Sequence, residues 1–206
     1  AARNAILAGF DGVEIHAANG YLFHQFFAKC SNTRTDDYGG SIPNRCRFLL
    51  EVTESIGRAI GISKTAIRLS PSLDRTFGIR KDDETEALFS YLATTLNDYR
   101  IAYLHISGFT ADSEDPDPGR TILETAARYR KLYKGTYMIN KGFTRDTAES
   151  ALRNGLADLV SFGELFIANP DLAERFRHQW PLNQPDRGTY YTPGAAGYTD
   201  YPFYPG

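Results

Sequence analysis

Short β-branched runs alternate along this chain with longer amphipathic stretches, and no other feature limits so tightly what it can fold into. An apolar run of roughly four to eight residues bounded by turn residues suits a buried strand, whereas apolar residues at spacings of three and four suit a helix. Strands are predicted at 12–16, 65–70, 101–107, 136–140 and 157–162. Helices are predicted at about 43–60, 82–97, 119–132, 144–153 and 170–178, and residues 1–8 read as the tail of a further helix ended by Gly9. Pro43 suits a first turn after Ser41, and Gly61 suits the far end of that helix. Gly- and Asp-rich stretches at 36–40 and 112–119 read as loops, and an aromatic, Pro- and Gly-rich tail occupies 181–206. Strands alternating with helices give a parallel sheet joined by crossover helices.

The number of units then sets the architecture. A closed (β/α)8 barrel needs about 250 residues, so the five units of this 206-residue chain cannot close one. The expected fold class is α/β: an incomplete TIM (β/α)8 barrel of five C-terminal units, its first three missing, with residues 1–206 in a single domain. The chain opens on Ala1 and its one methionine is Met138, so the start reads as trimmed.

Composition narrows the partners. A net charge of −2 argues against nucleic acid, and no apolar run approaches the roughly 18–20 residues of a membrane span. With no charged-then-apolar leader at the start, a cytoplasmic protein is expected. Cys30 and Cys46, the two cysteines, have a spacing that fits neither a zinc ribbon nor an iron–sulfur cluster, so free thiols and no metal site are expected.

Parallel α/β enzymes keep their working residues at the C-terminal ends of strands, and the polar residues of interest lie there. His16 ends the first strand, with Asn19 and Tyr21 in the loop that follows; Arg68 lies near the end of the second. Each also has an ordinary structural explanation. Asn19-Gly20 can be a turn before a helix, Tyr21 a core aromatic, and Arg68 the partner of Glu14, which alternation places on the same face as His16. After the fourth strand comes "NKGFTRDT" with Gly142, and after the fifth "FGELFIANPDL" with Gly163 in the matching place. Loops after the seventh and eighth strands of barrels commonly cradle a phosphate with backbone N–H groups. If these are those strands, the missing three are the first three.

Taken together, "GFDGVEIHAANGYLFHQFF", "SNTRTDDYGGSIPNRCRFLLEV", "IRLSP", "NKGF", "ADLVSFGELFIANPDL" and "GYTDYP" resemble, in order and over nearly the whole chain, the C-terminal part of the Old Yellow Enzyme family. The resemblance implies an FMN-dependent barrel that reduces activated C=C bonds of α,β-unsaturated carbonyl compounds with NADPH or NADH. By that resemblance His16 and Asn19 hydrogen-bond the carbonyl oxygen of an enone-type substrate, Tyr21 donates the proton, Arg68 faces the pyrimidine edge of the flavin, and Gly142, Gly163 and Glu164 surround the FMN phosphate. The residue types suit the chemistry. Two fixed donors stabilise the charge that builds on the oxygen, and a phenol, with a reference pKa of about 10, holds a proton at neutral pH. In one respect the chain departs from its resemblance: many family members carry arginine where this one has Glu164. For the tail, two readings stay open: Tyr198 and Tyr201 reach the flavin or substrate, or the tail is loosely ordered. Two other functions stay open as well, a non-catalytic barrel fragment that needs the missing N-terminal segment or another chain, and a phosphate-binding lyase or isomerase that shares the architecture.

Overall fold

A computed structural model of the chain describes residues 1–108 and 118–206. The expected loop at 112–119 lies outside the described residues as far as 117. Along the chain run helix α1 (Ala2–Leu7), strand β1 (Val13–His16), α2 (Leu22–Phe27), α3 (Ile42–Ile60), β2 (Thr65–Leu69), α4 (Thr85–Thr95), β3 (Leu104–Ser107), α5 (Pro118–Arg130), β4 (Tyr137–Asn140), α6 (Arg145–Arg153), β5 (Leu159–Ser161), α7 (Glu164–Ala168) and α8 (Leu172–His178). All five expected strands form, one parallel sheet in sequence order β1-β2-β3-β4-β5. Two helices have no range in the sequence reading, although a helix start after Asn19-Gly20 is among its alternatives. α2 and α7 have six and five residues, too short to show a 3.6-residue period.

The caps expected from sequence are in place. Ser41 Oγ accepts the Asn44 N–H at 3.4 Å with Pro43 in the first turn, and Gly61 ends α3 in a left-handed conformation, φ 97°. Thr144 does not open α6 as a helical residue but caps it: its hydroxyl accepts the Thr147 N–H, and the Thr147 hydroxyl accepts the Thr144 N–H at 2.9 Å.

Strand alternation sends side chains to two different surroundings. Ile15, Ile67, Leu69, Leu104, Ile106, Tyr137 and Ile139 face the helices and are buried. There they meet Cys46 and Leu49 of α3, Leu88 and Leu92 of α4, Ile122 and Ala126 of α5, and Ala148 and Ala151 of α6. Each fully buried Leu or Ile side chain contributes roughly 1.5–3 kcal/mol, so this layer holds the sheet flat against its helices. The other face carries the polar Glu14, His16, Arg68, His105, Ser107, Asn140 and Ser161, together with Ala66, Met138 and Leu159.

Two buried arginines tie irregular chain to this frame. Arg45, 1% exposed, donates to Glu84 Oε2 at 2.5 Å, to the Gly40 carbonyl at 3.1 Å and to the Phe27 carbonyl, fixing the loop from α2 to α3. Arg175 pairs with Asp171 at 2.6 Å and donates to the carbonyls of Pro181 and Pro202. Trp180 stacks on Tyr204 at 4.5 Å, so the tail is stitched to α8. The hydroxyls of Tyr198 and Tyr201 accept the backbone N–H groups of Tyr191 and Asp186 within the tail itself. Among the described residues no helix is long and apolar enough to cross a membrane.

Candidate active site

The polar face of the sheet is wired by strand register. His16 stands opposite Arg68, Arg68 opposite His105, Ser107 opposite Asn140, and Asn140 opposite Ser161. One Arg68 amino group donates to Ser107 Oγ at 2.9 Å and to Asn140 Oδ1 at 3.2 Å, while Asn140 Nδ2 donates to the Ser161 carbonyl at 2.9 Å. The expected pairing of Arg68 with Glu14 does not form. Glu14 Oε2 meets His105 Nδ1 at 2.9 Å, and His105 Nε2 meets Ser161 Oγ at 3.0 Å. The reason is register: Glu14 stands opposite Ala66, whose methyl is too short to intervene, so the carboxylate reaches across to β3. Burial pushes the Glu14 carboxyl up, but hydrogen bonds from His105 and Tyr103 and the charges of His105 and Arg68 outweigh it and hold the group below its ordinary range.

Arg68 Nε is buried and has no partner among the described residues. A buried cationic N–H left unpaired costs about 1–3 kcal/mol or more.

Beside Arg68 lie the three residues of the first loop. Asn19 and Gly20 both have positive φ, 53° and 77°, and the Tyr21 N–H closes the turn on the Ala18 carbonyl at 3.1 Å. This is the Asn-Gly turn expected from sequence, with α2 starting straight after it. The turn folds Tyr21 back so that its ring lies 4.8 Å from that of His16, and places Asn19 against Ser70 beyond β2, whose hydroxyl donates to Asn19 Oδ1 at 2.6 Å. His16 and Tyr21 are exposed on the open face, Tyr21 by 55%. Partial burial and the charges of Arg68 and His105 lower the His16 pKa, against an opposing pull from Glu14. A neutral imidazole at neutral pH can donate one N–H without giving up a proton.

The two glycine loops lie side by side, because β4 and β5 pair in register. A side chain added at Gly142 or Gly163 would enter open space, and Gly142, at φ 67°, also needs glycine for its backbone. Gly163, at φ −103°, has no such need. Openness at both positions leaves bare backbone accessible to a ligand. Glu164 lies next to Gly163, and its carboxylate is taken up by Arg187 of the tail at 3.2 Å. Burial pushes the Lys141 ammonium below its ordinary value, with the nearby Glu164 opposing it.

A sequence profile described as NADH:flavin oxidoreductase / NADH oxidase matches residues 1–183. The chain belongs to this family. It is the Old Yellow Enzyme family, whose members are FMN- and NAD(P)H-dependent. Among relatives, the chain is 46% identical over 215 residues to 12-oxophytodienoate reductase 7 of Oryza sativa subsp. japonica, covering 98% of this chain and 54% of that one. It is 46% identical over 203 residues to a protein of Leishmania infantum described as "Probable flavin mononucleotide-dependent alkene reductase", covering 98% and 53%. Among solved structures, the old yellow enzyme from Trypanosoma cruzi superposes with a TM-score of 0.88 at 42% identity, covering 98% of this chain and 52% of that one. The chain therefore spans about half the length of the relatives it matches, and its five parallel strands are a partial TIM barrel.

Sequence reading placed His16, Asn19, Tyr21 and Arg68 in one neighbourhood, and the structure brings them there; Gly142, Gly163 and Glu164 form a second cluster. It missed Ser70, His105, Ser107 and Ser161. Period-two alternation applied to every strand, rather than to the first alone, would have put three of these on the polar face.

Proposed function

We propose that this chain supplies the substrate-binding residues and part of the cofactor-binding residues of an FMN-dependent ene-reductase that reduces activated C=C bonds of α,β-unsaturated carbonyl compounds with NADPH or NADH. The observation that carries the reading is the juxtaposition of an unpaired, buried Arg68 Nε with three polar side chains, His16, Asn19 and Tyr21, gathered at the ends of β1 and β2. Arg68 would hold the pyrimidine edge of FMN, and the backbone at Gly142, Gly163 and Glu164 would surround its phosphate. The Glu164 carboxylate faces Arg187, which offsets its repulsion of a phosphate.

When bound, FMN would supply the hydride that adds to the β-carbon of the substrate. His16 and Asn19 donate N–H groups to the carbonyl oxygen, where negative charge builds. Because those donors are fixed before the reaction, they stabilise the transition state more than the ground state. Tyr21, beside His16, gives its hydroxyl proton to the α-carbon, a general-acid step worth typically about 10²–10⁴ in rate.

In a flavin-loaded protein that carries these 206 residues within a complete barrel, Tyr21→Phe is expected to slow enone reduction by about 10². Reduction of the flavin by NADPH stays nearly intact. Stopped-flow measurement of the two half-reactions checks this, and equal losses in both would contradict a proton-donor role.

A second reading rests on the sheet edges. β1 and β5 are each paired on one side only among the described residues, which favours a chain that acts only when a second polypeptide covers those edges.

A further inference from the structure

Ser70 stands directly after β2 and is fully buried, 0% exposed. Its hydroxyl has one proton and must place it, since buried hydroxyls go unpaired only at a cost. The acceptor is Asn19 Oδ1, at 2.6 Å; in return Ser70 Oγ accepts the Asn19 backbone N–H at 3.4 Å. With Oδ1 turned to the Ser70 hydroxyl, the amino end of the Asn19 amide points away from Ser70, and Nδ2 has no partner among the described residues. Asn19, with its left-handed backbone at φ 53°, lies beyond the end of β1 in the same loop as Tyr21.

We propose that Ser70 is a positioning residue: it locks the Asn19 amide so that the NH2 end, not the carbonyl end, faces the substrate oxygen. The inference rests on the reading of His16 and Asn19 as paired donors. Its logic is one of sign. An amide turned the other way would set a carbonyl dipole against a developing oxyanion, so without Ser70 the donor becomes a mixture of donor and acceptor. Ser70 does not itself touch substrate.

The test has two arms, the first on the isotopically labelled full chain. In the first, nitrogen–proton NMR follows the Asn19 side-chain amide in the wild type and in Ser70→Ala. The expected result is a shift of that pair toward the values of a free asparagine side chain in Ser70→Ala; an unmoved pair would overturn the proposal. In the second, run in a flavin-loaded, complete barrel that carries these residues, 4-hydroxybenzaldehyde serves as a planar probe with an oxyanion-like oxygen. Ser70→Ala is expected to weaken its binding about fivefold, the scale of one net hydrogen bond, and to have no further effect when Asn19 is already alanine. Equal losses in both backgrounds would mean that Ser70 acts independently of Asn19, which also overturns the proposal. If the amide shifts but the probe binds to no version of the flavin-loaded barrel, the orienting bond stands and the carbonyl-site reading fails.

Discussion

On the proposed reading, His16 and Asn19 supply two N–H groups of different origin, an imidazole at a strand end and an amide on a left-handed turn. Each can be removed without disturbing the other's anchor, since Asn19 is held by Ser70 and His16 by the strand. In a flavin-loaded, complete barrel, His16→Ala and Asn19→Ala are each expected to lower kcat/KM for enone reduction by about 10²–10³ and to weaken phenol binding. Steady-state kinetics and a phenol titration read this, and unchanged phenol affinity would count against the pair. Where the two residues lie was legible because a strand end followed by Asn-Gly is a local pattern; the pairing of their roles came only from the family resemblance. Partners across the sheet were not legible. Alternation says which face a side chain takes, but only register says what it meets. Glu14 was therefore matched to Arg68, when Ala66 opposite it leaves the way open to His105.

At the scale of elements, α2 is where a short helix carries an unusual load. His24 is 3% exposed, packs its ring against Phe27 and Phe89, and has Nδ1 buried without a partner. Burial pushes its pKa down to about 4. Below the ordinary histidine range of about 6.5 the unfolded chain binds a proton that the folded chain refuses. Stability present above that range is lost as pH falls toward the folded value, by about 3 kcal/mol. Urea unfolding at a series of pH values between 7.5 and 4.5 is expected to show this slope, and His24→Leu to remove His24's share of it; an equal slope in the variant would reject the assignment. The strands and long helices were legible because their runs are long enough to show a period. α2 was not, since six residues of Leu, Phe, His and Gln show no face.

Among the described residues the molecule presents a largely polar sheet face and two unpaired strand edges, on β1 and β5. Both would be covered in a closed barrel, and unpaired edges recruit other chains. The family and barrel type were legible in strand count and motif order. The anchoring of the tail was not, because it depends on Arg175 meeting the carbonyl of Pro202 and Trp180 stacking on Tyr204, residues far apart in sequence. The central claim is that this face holds FMN through Arg68 and the glycine loops once the sheet is completed. It is tested most directly by titrating FMN, followed by its absorption bands, into the 206-residue chain alone and mixed with the N-terminal barrel half of the rice relative. The account predicts substoichiometric binding to the chain alone, about one FMN per reconstituted barrel, and a clear loss of that binding in Arg68→Ala. A folded, reconstituted barrel that leaves FMN free, or an Arg68→Ala barrel that binds it as tightly as the wild type, would contradict it.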